Sequence, residues 1–192
     1  MLSDAGAHTS QLDVTSIESI NRFKQTIGNE PVDLLLNIAG VATGSEKDAY
    51  DNTTLDIFQK TFAVNTYGPM FVTQALLPNV LASEGKEIGI VTSRVGSVGD
   101  NSSGGHYAYR ASKAAANQIG KSLAMDLKDK GVTVLLLHPG FVKSGLLPEA
   151  KMPPETVMPD EAAGKLWRNI VKPKGIDETG KFFHREGFEL PW

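Results

Sequence analysis

Two side chains one helical turn apart, Tyr109 and Lys113, have the types and the spacing to carry out chemistry. They lie in a segment with a strong helical pattern, and an i, i+4 spacing puts both on one helix face. An ammonium group close to a phenol favours the phenolate, which lowers the pKa of the tyrosine. A tyrosine tuned in this way can transfer a proton near neutral pH.

Ser93 adds a hydroxyl group to this pair. It follows the apolar run Ile88–Val91, which is typical of a buried strand, so its side chain is expected at a strand end. There it can donate a hydrogen bond to an oxygen that is being protonated or deprotonated. The three residues predict proton transfer at a carbonyl or alcohol, a chemistry that suits hydride transfer with a nicotinamide. Because the Tyr109–Lys113 spacing alone also fits a solvated helix face, the hypothesis depends on the whole set.

The strands that must position these residues are predicted from apolar runs. Three runs are typical of strands buried on both faces: Val32–Ile38, Ile88–Val91 and Val132–Leu137. Weaker strands are expected at Ala7–Val14 and Gly180–His184. Runs of this kind are typical of a parallel sheet.

Helical segments alternate with these runs. The predicted helices are Ile17–Ile27, Thr54–Leu81, Tyr107–Lys128 and Glu161–Val171. Ser16 is expected to cap the first of them and Asp160 the last. The alternation predicts the α/β class, a doubly wound parallel sheet with helices on both faces in three layers, α/β/α.

The composition narrows the class of protein. The chain has 192 residues, 41% of them apolar, and a formal net charge of −3, which is typical of one globular domain and unlike a nucleic-acid-binding protein. It contains no cysteine, which excludes a cysteine nucleophile, a disulfide and a thiolate metal site, and its four scattered histidines predict no metal site either. No apolar run approaches the ~20 residues of a membrane span. The expectation is one domain over residues 1–192, in the cytoplasm, with neither a membrane nor a nucleic acid as partner.

Taken together, the motifs resemble the pattern of the short-chain dehydrogenase/reductase family. The residues that carry the resemblance are Asn37-Ile38-Ala39-Gly40, Asn65, Ser93-Arg94-Val95-Gly96-Ser97, the Tyr109–Lys113 pair and Pro139-Gly140. The ending, from Gly180-Lys181-Phe182-Phe183 to Leu190-Pro191-Trp192, is most similar to the C-factor and sniffer-type carbonyl reductase branch. The resemblance implies a Rossmann-like fold and a small-molecule carbonyl or alcohol substrate.

The resemblance also implies roles for single residues. Tyr109 would be the catalytic acid/base, and Lys113 would lower its pKa and bind the nicotinamide ribose. Ser93 would hold the substrate oxygen, and Asn65 would hold a water in a proton relay. From the residues alone, Asn65 is equally well explained as a buried polar group at a helix kink.

Further positions would contact the cofactor. Asn37, Ala39 and Gly40 would line it near the adenine ribose, and Asp13 and Val14, at the end of the first predicted strand, would meet the adenine. The nicotinamide contacts would come from Pro139, Gly140, Val142 and Ser144. The residue pattern leaves Asp13 open as an ordinary turn aspartate.

The family begins with two βα units, the first of which carries a glycine-rich turn for the pyrophosphate. Before Asn37 this chain has only Gly6 and Gly28, and neither follows a buried strand. The expectation is therefore a Rossmann-like domain truncated at its N-terminus. NAD or NADP is the implied cofactor, and its binding is expected to be weak or absent if the chain is complete as given.

Three functional hypotheses remain open from the sequence. The first is an oxidoreductase that acts on carbonyl or secondary alcohol groups. The second is a cofactor-independent lyase, isomerase or dehydratase that uses Tyr109 as acid/base, and the third is a non-catalytic protein derived from the same family. A homo-oligomer, first of all a dimer, is expected because the strand Val32–Asn37 would have a bare apolar edge. The helices Thr54–Leu81 and Tyr107–Lys128 offer a second surface, since in the resembled family they commonly pack against their twins.

Overall fold

Four parallel strands form one sheet in the order β1-β2-β3-β4, in a computed structural model that describes residues 6–146 and 152–192. The strands are Leu34–Asn37 (β1), Glu87–Val91 (β2), Thr133–His138 (β3) and Phe182–His184 (β4). Their register places Leu35 beside Ile88 and Ile88 beside Val134. The predicted parallel sheet is confirmed, with each strand shorter than or close to its apolar run.

Five α-helices, among the residues described, connect and flank these strands. They are α1 (Ile17–Ile27), α2 (Leu55–Phe62), α3 (Gly68–Ala82), α4 (Tyr107–Leu127) and α5 (Pro159–Leu166). The π turn Ala63–Tyr67 joins α2 to α3, and a second one, Trp167–Val171, extends α5. In the described part of the chain, no helix is long and apolar enough to cross a membrane.

The helices cover both faces of the sheet. On one face α1, α3 and α4 pack their apolar sides against Leu35, Ile88 and Val134. On the other face Ile170 and Val171, which follow α5, pack against Leu135 and Leu137 of β3. Because β3 is buried on both faces, its sequence is continuously apolar. The doubly wound, three-layer α/β/α arrangement is therefore confirmed.

The predicted first strand is wrong. Residues 7–13 have no regular secondary structure, and a turn over Val14 and Thr15 leads into α1. The Asp13 carboxylate accepts hydrogen bonds from the backbone N–H and the hydroxyl of Thr15, 2.9 and 2.7 Å away, which fixes a turn rather than an extended chain. Only Leu12 and Val14 of this segment pack against the core, so the segment lacks the apolar content of the buried strands.

The helix boundaries follow local signals with one exception. Ser16 caps α1 as predicted, and its Oγ accepts a hydrogen bond from the Ser19 N–H. Asp160 does not cap α5, because the helix already begins at Pro159. Proline is favoured at the first helical position, since its φ is preset and it needs no hydrogen-bond acceptor there. Asp160 lies instead in the first turn of α5, where its negative charge interacts favourably with the helix dipole.

Candidate active site

The carboxyl ends of β1, β2 and β3 lie side by side at one edge of the sheet, because the three strands are parallel and adjacent. This edge carries Asn37 at the end of β1, Ser93 just beyond β2 and Pro139 just beyond β3. Ligands of open parallel sheets bind beyond this edge. The predicted site residues that follow the three strands therefore share one region.

Helix α4 brings Lys113 to the end of β2. The Lys113 side chain is buried, and its Nζ donates a hydrogen bond to the Val91 carbonyl at 3.0 Å. Burial of the ammonium lowers the pKa of Lys113 to about 8. Lys113 is therefore a cation whose charge can change slightly above neutral pH.

Tyr109 and Ser93 meet at the same strand end. Burial raises the pKa of the Tyr109 phenol, and a side-chain hydrogen bond with Ser93 partly offsets that rise. The expected lowering of the Tyr109 pKa by Lys113 is wrong for this structure. Desolvation outweighs the other effects, and the Lys113 ammonium group is engaged by the Val91 carbonyl. The phenol is consequently protonated at neutral pH.

The segment after Ser93 packs closely against α4 at Gly96. A Cβ at Gly96 would lie 2.7 Å from the Lys113 carbonyl carbon and 2.8 Å from the Ala114 nitrogen. The same segment closes on itself through a 2.8 Å hydrogen bond from the Gly96 N–H to the Ser93 carbonyl. The absence of a side chain at Gly96 therefore sets the distance between Ser93 and the helix that carries Tyr109 and Lys113.

Asn65 links the loop after β1 to α4. It is fully buried in the π turn, and its amide exchanges two hydrogen bonds with the backbone of Val41, of 2.8 and 2.9 Å. Its Nδ2 also donates to the Ser112 hydroxyl at 3.0 Å. The π turn explains the kink expected from the sequence, because Pro69 lacks the N–H that an α-helix would place on the Asn65 carbonyl.

Gly40 leaves an open space beside these groups. A Cβ built on Gly40 would lie 3.6 Å from Asn65 Oδ1 and 3.7 Å from Lys113 Nζ. Gly40 and the preceding Ala39 are both exposed, so this space is open to a ligand. The structure thus brings Gly40, Asn65, Ser93, Tyr109 and Lys113 together at one edge.

The other residues expected at the adenine half make structural contacts. The Asn37 side chain is buried and donates to the Thr73 hydroxyl at 3.1 Å, which ties β1 to α3. Asp13 is exposed and engaged by Thr15, and Val14 packs against Gly68 at the start of α3.

The loop after β3 carries the residues expected at the nicotinamide. Pro139, Gly140 and Val142 are half-buried, Ser144 is exposed, and Val142 forms an isolated parallel bridge with Val157. The loop is therefore held to the segment that precedes α5. The residue that fixes the loop is the buried Arg185, which no sequence motif indicated. Its Nη1 donates to the carbonyls of Pro139 at 2.8 Å and Phe141 at 3.2 Å, and its Nη2 donates to that of Glu155 at 3.3 Å.

Asp48 is a second residue that the sequence did not single out. It lies in the polar loop between β1 and α2 and is fully buried. Its carboxylate accepts hydrogen bonds from the backbone N–H groups of Ala108 and Tyr109, at 2.9 and 3.1 Å. An aspartate in a polar loop carries no sequence signal for a cap on a helix 60 residues away.

The histidines do not assemble a metal site. The rings of His138 and His184 lie 5.2 Å apart, and burial lowers the pKa of His138 to about 3, so this ring is neutral. Within residues 6–146 and 152–192, no group of three or more histidine, aspartate or glutamate side chains could hold a metal ion.

A doubly wound parallel sheet with serine, tyrosine and lysine at its carboxyl edge defines a dehydrogenase or reductase class of fold. The profile of the short chain dehydrogenase family matches residues 2–153, and the chain belongs to that family. The family resemblance predicted from the motifs is confirmed.

Two curated relatives and two solved structures refine this placement. The chain is 40% identical over 185 residues to 1-hydroxy-2-glutathionyl-2-methyl-3-butene dehydrogenase of Rhodococcus sp. (strain AD45), across 94% of this chain and 78% of the relative. It is 37% identical to C-signal of Myxococcus xanthus, across 88% of this chain and 98% of that protein.

Among solved structures, it is similar to the NADPH-bound carbonyl reductase from chicken fatty liver, with a TM-score of 0.83, 28% identity, and coverage of 94% of this chain and 75% of that one. Carbonyl reductase Sniffer of D. melanogaster gives a TM-score of 0.88 at 26% identity, with coverage of 100% and 81%. These relatives agree with the C-factor and sniffer-type branch expected from the C-terminal sequence, and they support the expected oxidoreductase class.

Proposed function

We propose that this protein reduces carbonyl groups of small molecules, or oxidises the corresponding secondary alcohols, with Tyr109 as the acid/base. The observation that carries the proposal is the pairing of the Tyr109 and Ser93 side chains at the end of β2, next to the buried Lys113. Two hydroxyl groups at a strand end can hold one substrate oxygen between them. One of them then supplies the proton while the other keeps the oxygen in place.

The protonation state of Tyr109 favours reduction. A carbonyl that accepts a hydride develops negative charge on its oxygen, and a neutral phenol can donate a proton to that oxygen. Since burial keeps the Tyr109 phenol protonated at neutral pH, the site favours reduction of a carbonyl. Oxidation of an alcohol needs the phenolate, so we expect it to be favoured at high pH.

Lys113 and Asn65 support this proton transfer in the proposal. Lys113 holds its ammonium group at the same strand end, beside the space at Gly40 where we propose a cofactor ribose. A water held at the Asn65 carbonyl, which has no α-helical donor because of Pro69, would connect Lys113 with solvent. The side-chain amide of Asn65 is engaged by Val41 and Ser112, so its part in the proposal is to keep the π turn in place.

We propose a nicotinamide dinucleotide as the cofactor, as in the NADPH-bound carbonyl reductase. The space at Gly40, which the family resemblance assigned to the adenine ribose, is bordered by Lys113 Nζ and Asn65 Oδ1 and would hold a ribose of the cofactor, and the loop from Pro139 to Ser144 would contact the nicotinamide. When bound, the nicotinamide supplies or accepts the hydride. Among the described residues, the helix that precedes β1, α1, follows neither a strand nor a glycine-rich turn, so we expect it to hold the pyrophosphate weakly.

The test is an NADPH-dependent reduction assay with a panel of small aldehydes and ketones, comparing wild type with Tyr109→Phe. We expect the substitution to lower kcat/KM by about 10²- to 10⁴-fold while the unfolding transition is unchanged. Tyr107→Phe is the matched control, because Tyr107 is exposed at the start of the same helix. Isomerisation or elimination of a substrate without any nicotinamide would support the cofactor-independent hypothesis. Equal activity in wild type and Tyr109→Phe would contradict the proposal.

We further propose that the chain forms a homo-oligomer through the outer edge of β1. No described strand pairs with this edge, and Leu36 and Ile38 are 40% and 63% exposed beside it. Unpaired strand edges with apolar side chains favour association. A monomer of 20.6 kDa by light scattering at high micromolar concentration would contradict this proposal. Ile38→Lys is expected to shift an oligomer toward the monomer.

A further inference from the structure

We propose that Asp48 is a positioning residue for Tyr109: it caps α4 from a distant loop and thereby fixes the tyrosine relative to Ser93. The inference rests on the proposed function, since it concerns the same acid/base. It adds a residue that neither the motifs nor the family resemblance singles out.

Asp48 satisfies most of the free donors at the start of α4. The first four N–H groups of a helix have no partner within the helix. Here the Tyr107 N–H donates to the Asp48 carbonyl at 3.4 Å, and the Ala108 and Tyr109 N–H groups donate to the two carboxylate oxygens at 2.9 and 3.1 Å. Arg110, the next residue, donates its N–H to the His106 carbonyl at 2.8 Å, which is the first hydrogen bond within the helix. One residue therefore serves three of the four donors.

The local sequence cannot provide this cap. His106, directly before α4, has a left-handed backbone with φ 53° and its side chain makes no capping hydrogen bond. Asp48 supplies what a local serine or aspartate would normally supply. Because its two oxygens hold adjacent N–H groups, a movement of Asp48 would move the backbone of Tyr109 itself.

The charge of Asp48 is compensated by these groups. A fully buried carboxylate is costly unless it is hydrogen-bonded. Here it accepts two backbone N–H groups and the Thr53 hydroxyl at 3.0 Å, and it faces the positive end of a 21-residue helix. No salt bridge within the described residues involves Asp48.

The polar and charged groups around Tyr109 belong to three elements: the loop after β1, α4 and the segment after β2. Asp48 approaches its backbone from the loop, and Lys113 lies one turn further along α4. The neighbouring Arg110 points to other partners, the carbonyls of Val95, Gly104 and Gly105. Ser93 approaches from β2 and is uncharged. Asp48 is therefore the carboxylate that holds the backbone of Tyr109 in place, and the phenol itself is paired with Ser93.

The same contact connects the loop to the site at two points. Val41 near its start is bound to Asn65, and Asp48 is bound to α4. Tyr50, two residues beyond Asp48, is 81% exposed on the same loop. A substrate that contacts the loop would thus meet a surface whose position is coupled to that of Tyr109.

The experiment compares Asp48→Asn with wild type. Asparagine keeps the shape and one acceptor oxygen but loses the charge and replaces the second acceptor with an NH₂ group. We expect kcat to fall about 10- to 100-fold with a smaller change in KM, because the tyrosine is misplaced while the substrate contacts remain. The phenol of Tyr109, followed by ultraviolet difference absorbance against Tyr109→Phe, should ionise at higher pH in the variant, because a displaced phenol loses the interaction with Ser93 that lowers its pKa.

Asp51→Asn is the matched control, since Asp51 is exposed on the same loop. It is expected to leave kcat and the phenol titration unchanged. Equal titration curves for wild type and Asp48→Asn would overturn the proposal, even if Asp48→Asn lost stability, because a merely structural cap would leave the ionisation of Tyr109 unaltered. Since the titration needs no turnover, it tests Asp48 independently of whether the reductase proposal holds. If Asp48→Asn does not fold, Asp48→Ser, which keeps a short capping oxygen without charge, is titrated in its place with the same two outcomes.

Discussion

The Arg185 guanidinium occupies the space that a side chain at Gly140 would need. A Cβ at Gly140 would clash with the Nη1 and Cζ atoms of Arg185, and Gly140 has a positive φ of 71° that glycine adopts without strain. The guanidinium in turn binds the carbonyls on either side, those of Pro139 and Phe141. Backbone conformation and a buried cation therefore depend on each other at the loop proposed for the nicotinamide.

We expect Arg185→Met to destabilise the protein by about 2–4 kcal/mol, because three backbone carbonyls lose charge-assisted hydrogen bonds to a buried guanidinium. The loop should loosen before the fold does. Hydrogen exchange of the Val157 amide, which donates to the Phe141 carbonyl at 3.0 Å, measures this loosening. Arg168→Met, at an exposed position, is the control. Unaltered exchange at Val157 in Arg185→Met would argue against this role.

Gly96→Ala should reduce both stability and activity. The new Cβ would meet backbone atoms of Lys113 and Ala114, which cannot move aside as a flexible side chain can. We expect a loss of about 1–3 kcal/mol in denaturant unfolding, and a lower kcat because Ser93 moves away from Tyr109. Gly175→Ala is the matched control, because nothing lies within 4 Å of a Cβ at that position. Similar losses in both variants would show that close packing at Gly96 is not the cause.

Lys113→Met should abolish activity but raise stability at pH 7. Burial lowers the pKa of Lys113 from 10.5 to about 8, so the folded state disfavours the ammonium below pH 8. Wild type should regain stability as the pH rises from about 8 toward 10.5, whereas the variant should lack this rise. We expect a gain of about 1–3 kcal/mol at pH 7, reduced by the loss of the hydrogen bond to Val91. Urea unfolding at pH 7 and pH 10 measures the difference.

Glu87 at the start of β2 provides a pH test away from the site. Burial raises the pKa of its carboxyl from 4.5 to about 7. A raised folded-state pKa means that stability is full below about pH 4.5 and is lost as the pH rises through about 7. Glu87→Gln should therefore be more stable than wild type at pH 8, by on the order of 1 kcal/mol, and equal to it near pH 4. Thermal unfolding of both proteins at pH 8 and at pH 4 measures this difference in stability. Glu84→Gln, at an exposed position, is the control.

The sequence by itself determined the order of the elements and the strand-end site. Continuous apolar runs predicted β1, β2 and β3, because a parallel strand buried on both faces must be apolar throughout. The spacing of Tyr109 and Lys113 is a local property of one helix, and the position of Ser93 follows from the end of β2. The prediction of a strand over residues 7–14 was wrong, because a turn can also place Leu12 and Val14 against the core.

Only the tertiary structure decided how those residues are held and how they ionise. Asp48 caps a helix 60 residues further along the chain, and Arg185 binds carbonyls 44 and 46 residues before it. Such contacts have no periodicity, so no local pattern predicts them. The pKa of Tyr109 was expected to be lowered by Lys113 and is raised instead. The direction of this pKa shift depends on burial. Burial is a property of the whole packed site, and it cannot be inferred from the sequence positions of Tyr109 and Lys113.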